Sequence, residues 1–188
     1  TNALKRFSYF FSRVLTMIPN TKLIILNSLN DLKFYDSPNI KYYDANFSKI
    51  STVINTNIEK LNKTYSDNKF IVIILGYLKI NSHLKSLKEN DDNVYSIDDM
   101  ILNCKNDNFK FILYEKSSNL QEVIDGELSD IIDNQFGIWV GPDFDMQDSF
   151  DCDRLNETIR FGNDDIILIE DAIPKPVKIP TIYSDTNK

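Results

Sequence analysis

Phe70-Ile71-Val72-Ile73-Ile74-Leu75-Gly76 is the stretch that decides the fold. It is an unbroken apolar run, rich in β-branched residues, and it stops abruptly at a glycine. It is too short for a membrane span, and it lacks the polar alternation of a strand with one wet face. A run of this kind reads as a strand covered on both faces, the habit of parallel sheets. Thr21-Lys-Leu-Ile-Ile-Leu-Asn27 repeats the pattern upstream, and Phe109-Lys-Phe-Ile-Leu-Tyr114 reads as another strand downstream.

Helical patterns lie between these strands. Leu4, Phe7, Phe11, Val14, Leu15 and Ile18 recur at spacings of three and four, which predicts a helix to about Ile18, stopped by Pro19-Asn20. Phe7, Tyr9, Phe10 and Phe11 wrap more than one side of it, so part of this aromatic set is expected to face a groove or a neighbouring domain. Ile40–Tyr43 reads as a short strand. Asn46 or Ser48 is placed to cap a helix that turns Ile50, Val53, Ile54, Ile58 and Leu61 inward. Leu78–Leu87 predicts a further helical stretch. Ser96 is placed to cap a helix over Ile97–Cys104, with Met100, Ile101 and Cys104 inward.

Leu120–Ile124 and Leu128–Ile132 read as two short helices separated by Gly126. Gly137-Ile-Trp-Val-Gly141 and Asp165–Ile169 read as strands, and the tail with Pro174, Pro176 and Pro180 as extended surface chain. Alternating helix and strand predicts an α/β fold: a mainly parallel sheet flanked by helices on both faces, in one domain over residues 1–188.

Composition narrows the function classes. A net charge of -7 and a pI near 4.7 argue against a dedicated nucleic-acid binder, which carries a basic face. The two cysteines, Cys104 and Cys152, form neither a disulfide framework nor a zinc cluster. No apolar run of about 18 residues occurs, so no insertion of this chain into a membrane is expected. Thr1-Asn2-Ala3-Leu4-Lys5 is not a signal peptide, and the missing initiator Met leads us to expect a fragment of a longer chain.

Several residues invite a chemical reading. Asp143, Asp145, Asp148, Asp151 and Asp153 are spaced like metal ligands, yet an EF-hand from Asp143 needs Gly and Glu where Asp148 and Arg154 stand. They read as a solvated acidic loop, with Phe144 and Phe150 as core anchors or, alternatively, an exposed contact surface for a protein partner. His83, the single histidine, lies in a polar stretch and reads as a surface residue. Cys104 reads as a small core residue. The acids around Cys152 are expected to raise its thiol pKa, the opposite of what a nucleophile needs.

The order of elements resembles a known family. A helix beginning directly after Thr1, the strands Leu23–Leu26 and Phe70–Leu75, Gly137-Ile-Trp-Val-Gly141 and Ile169-Glu-Asp-Ala-Ile-Pro174 together resemble the last FtsK/SpoIIIE-type ATPase domain of membrane-bound, EssC-like type VII secretion motors. The resemblance implies a P-loop NTPase (RecA/FtsK-like) fold in which Thr1 closes a phosphate loop and holds Mg2+ with bound ATP; a helix cap is the other role open to Thr1. The phosphate loop itself, with its lysine, is not in this sequence. Where the family's central strand ends in an acidic pair, this chain has Leu75 and Gly76, which neither bind a metal nor accept a proton.

The expectation is therefore a degenerate ATPase-fold domain. It would recognise small helical secreted proteins beside neighbouring ATPase domains of the same motor, as the cytoplasmic end of a membrane-anchored chain, with little or no hydrolysis. The alternative within the family is a slow but active ATPase that takes its acid from Glu115, or less favourably from Asp31 or Asp36. A flavodoxin-like or receiver-like domain is a third reading, weakened by the lack of an acid at the end of Phe70–Leu75.

Overall fold

The computed structural model describes residues 2–29, 32–44, 46–63, 67–153 and 162–179. The chain groups into two compact units. The larger takes residues 14–30 and 36–130; the smaller takes residues 1–13, 31–35 and 131–188.

The larger unit is an α/β layer structure. Its strands are β1 (Thr21–Asn27), β2 (Ile40–Tyr43), β3 (Lys69–Leu75) and β4 (Phe109–Tyr114), all parallel, in the order β2-β1-β3-β4. The two runs that looked buried on both faces are the two central strands, paired from Thr21 with Lys69 to Asn27 with Leu75. Leu23, Ile24, Ile25 and Leu26 are all buried, as are Ile71 to Leu75; successive side chains point to opposite faces, so both faces are covered. Phe70 stacks on Phe109 across the β3–β4 pair, ring centroids 4.8 Å apart.

Helices α2 (Phe47–Lys63), α3 (Tyr77–Lys88) and α4 (Ile97–Asn103) form the crossovers and pack on one another. The right-handedness of parallel crossovers sets them on one face of the sheet. In α2, Ile50, Ile54 and Ile58 are buried as expected, whereas Val53 is exposed because it falls just outside the stripe they define. Ser96 caps α4 as expected: its Oγ accepts from Asp99 N at 3.0 Å, and Asp99 Oδ2 accepts from Ser96 N at 2.9 Å. Helix α5 (Ser117–Ile124) follows β4. The second helix expected at Leu128–Ile132 does not form. The backbone turns over residues 127–131, and the buried Leu128 that suggested a helical face anchors that turn instead.

The smaller unit corrects the expectation of one mainly parallel sheet. Strands β5 (Gly137–Val140), β6 (Ile166–Glu170) and β7 (Ile173–Val177) form a separate antiparallel sheet in that order. A two-residue connection admits no crossover, so β6 and β7 pair antiparallel. The tail expected to be extended is so over Ile173–Val177, where it pairs with β6 as the strand β7; Pro180 lies outside the described residues. Glu170 pairs with Ile173 around the turn Asp171-Ala172, where both residues have positive φ, 51° and 63°. These are type I′ hairpin dihedrals. Such a hairpin closes on a hydrogen-bonded pair, so Pro174 and Pro176 occupy the alternate positions, where a strand's N–H points away from its partner. The prolines therefore cost no ladder bond, and they strip donors from the outer edge of β7, which protects it from pairing with another chain.

Helix α1 (Asn2–Thr16) is two residues shorter than its apolar spacing predicts. Its Ser12 Oγ accepts from Tyr35 N at 2.9 Å, Tyr9 meets Tyr35 edge-on, and the Arg13 guanidinium lies over the same ring. Phe7 and Phe11 stack at 5.0 Å, while Phe10 is exposed, so the aromatic set is divided as its excess over one stripe implies.

Ala172 is the one residue of the β6–β7 turn whose Cβ opposes its backbone conformation without a polar side chain to compensate. Ala172→Gly is expected to raise stability by about 1 kcal/mol in urea denaturation. A loss of stability would show that the turn is not of this type.

Candidate functional site

In open parallel sheets ligands bind outside the carboxyl ends of the strands, where the chain leaves neighbouring strands in opposite directions. Here that point lies between β1 and β3, since β1 leads outward to β2 and β3 leads the other way to β4. The residues there are Asn27, which ends β1, with Ser28; Leu75, which ends β3, with Gly76; and Tyr114, which ends β4, with Glu115.

These groups satisfy one another. Ser28 N and Ser28 Oγ both donate to Leu75 O at 3.0 Å, and the hydroxyl also reaches Gly76 O at 3.3 Å. The buried Asn27 donates its amide to Tyr42 Oη and accepts from Leu29 N at 2.9 Å. Gly76 turns the chain from β3 into α3 with φ 78°, and a Cβ there would stand 2.2 Å from Ser28 Oγ. Glycine is thus required twice, by its dihedral and by the serine against it.

Gly76 carries no side chain to cap α3, and Glu115 does this from the neighbouring strand. Its Oε2 accepts from Leu78 N at 3.0 Å and its Oε1 from Lys116 N at 2.9 Å. A carboxylate at this position satisfies an orphan helix donor and sits favourably in the helix dipole. It also occupies the place where an anionic ligand would meet the N-terminus of α3.

The positions singled out in the sequence separate here. Leu75 is buried and Gly76 opens a helix, so the end of the central strand presents no acid. Glu115 is brought to this end of the sheet, but both its oxygens are engaged by backbone amides. Asp36 is exposed, and Thr1 and Asp31 lie outside the described residues. Among the described residues, the donor set at the carboxyl ends does not fit Mg-ATP: it offers neither a lysine with a run of free amides for phosphates nor an uncommitted carboxylate for the ion.

The loop aspartates Asp143, Asp145, Asp148, Asp151 and Asp153 are all exposed, and among the described residues no group of three or more His, Cys, Asp or Glu is placed to hold a metal. Phe144 is buried edge-on against Trp139, and the ring of Phe150 lies over Gly137, where a Cβ would meet it at 2.1 Å; both are anchors, as expected. His83 is exposed. Burial, with the adjacent Asp151 and Asp153 charges, pushes the Cys152 thiol up; burial also raises Cys104, which is half-buried. Among the described residues no helix is long and apolar enough to cross a membrane.

A second polar cluster lay beyond sequence reasoning. Asp98, on α4, is 1% exposed and receives three donors from α3: Tyr77 Oη, Asn81 Nδ2 at 2.8 Å and Lys85 Nζ at 2.7 Å. Asn81 Oδ1 accepts from Ile97 N at 2.9 Å, and Lys85 also reaches Glu127 at 2.9 Å. Tyr77, Asn81 and Lys85 follow one another every four residues along one face of α3. That spacing was the available signal, but it points at Asp98 only once α4 is in place. Burial alone would raise the Asp98 carboxyl; hydrogen bonds from Lys85, Tyr77 and Asn81, with the Lys85 charge, outweigh it and hold the group below its ordinary range. Tyr77 is pushed far above the usual phenol range by burial and then by Asp98. A phenol so buried and so committed to a carboxylate is a structural tie between α3 and α4.

The depressed Asp98 group means that the unfolded chain binds its proton more readily than the folded one. Its contribution is complete above the ordinary carboxylate pKa near 3.9 and is lost as pH falls through the folded value. Asp98→Asn is therefore expected to destabilise the protein at pH 7, with the gap from wild type narrowing in urea titrations toward pH 3. A gap independent of pH would overturn the assignment. Lys85→Met, which leaves the carboxylate without its countercharge, is expected to cost roughly 1–3 kcal/mol, less than a fully buried pair because Lys85 is partly exposed. Searches against protein-family models, curated proteins and solved structures find no match for this chain.

Proposed function

We propose that this chain is an ATPase-fold domain without effective hydrolysis, serving recognition or regulation in protein export as the last FtsK/SpoIIIE-type domain of a type VII secretion motor. The observation that carries the non-catalytic part is the closed carboxyl end of the sheet. Ser28 bridges β1 to β3, Leu75 and Gly76 stand where a metal-binding acid and a base would be needed, and Glu115 is committed to the amides of Leu78 and Lys116. The four-stranded parallel sheet with its helical crossovers is compatible with a P-loop architecture.

In this reading the partners are small helical secreted proteins and neighbouring ATPase domains of the same motor, and the mode of capture is a helix laid into an apolar groove. The domain belongs to the cytoplasmic end of a membrane-anchored chain. Thr1, closing an upstream phosphate loop, would leave it at most weak Mg-ATP binding.

The test is titration calorimetry on the full-length protein. Mg-ATP is expected to give no heat, or only millimolar affinity, while a small helical protein exported by the same motor binds in the micromolar range without nucleotide. Micromolar Mg-ATP affinity with turnover would overturn the non-catalytic assignment. Absence of binding across the motor's exported helical proteins would overturn the recognition role.

Glu115→Gln separates a cap from a catalytic acid. It is expected to cost roughly 1 kcal/mol of stability through the weakened α3 cap and to leave any residual ATP turnover unchanged. Turnover abolished in a folded variant would make Glu115 the acid of a slow ATPase.

A further inference from the structure

We draw no further inference here: the strongest candidate, the concave loop of the smaller unit where Asp145, Asp148, Asp151 and Asp153 surround the Phe144 and Phe150 rings, is an acidic cluster with no second observation in the fold that points to a ligand.

Discussion

The pairing of β1 with β3 is the constraint on which the larger unit depends. These two strands are far apart in sequence and have few polar groups, and they remain in register along their whole length. Each is buried on both faces, so neither side tolerates a slip: moving one strand by a single residue would exchange the side chains of its two faces. The register is locked at its carboxyl end. Ser28 reaches across to the β3 carbonyls, and the missing side chain of Gly76 makes room for that hydroxyl. The close approach that fixes the register also fills the crevice where an α/β protein would ordinarily hold a ligand.

Above the sheet, the helical layer is joined by polar chemistry rather than by apolar contact alone. Asp98 is deeply buried for a carboxylate, and such a group is tolerated only with its partners present. Tyr77, Asn81 and Lys85 supply them from one face of α3, and Asn81 passes a further bond to the first amide of α4. The geometry fixes the rotation of both helices, because a turn of either one would leave a buried charge unpaired. A hydrophobic contact of equal area would tolerate more sliding.

The larger unit was legible in the sequence because its signals are local. Apolar runs place β1, β3 and β4 within a residue of their observed ends, and Ser96, read as a cap, marks the start of α4. The smaller unit was less so. Prolines at 174 and 176 argue against a strand unless the strand is an edge and both fall at positions facing away from the partner, which depends on a register set by the turn. Asp171-Ala172 hides that turn, since the dipeptide lacks the glycine that usually announces positive φ. The Asp98 cluster was illegible for a different reason: its members come from two helices whose packing is a property of the tertiary structure.

The same division separates what holds this sheet together from what its carboxyl end presents. Stability resides in the strand interiors, where Leu23 to Leu26 and Ile71 to Leu75 exclude water. Chemistry in such folds resides in the residues just beyond the strands, which contribute little to the core and are free to change. At this end of the sheet those residues have structural partners. Ser28 bonds to β3, Glu115 caps a helix, and Gly76 makes the close approach possible. A carboxylate free to organise an ion must remain unsatisfied by the protein until the ion arrives, at a cost in stability. Glu115 is satisfied by backbone amides already, so recruiting it for catalysis would require breaking the cap of α3. That coupling makes Glu115 part of the start of α3 as much as of the end of β4.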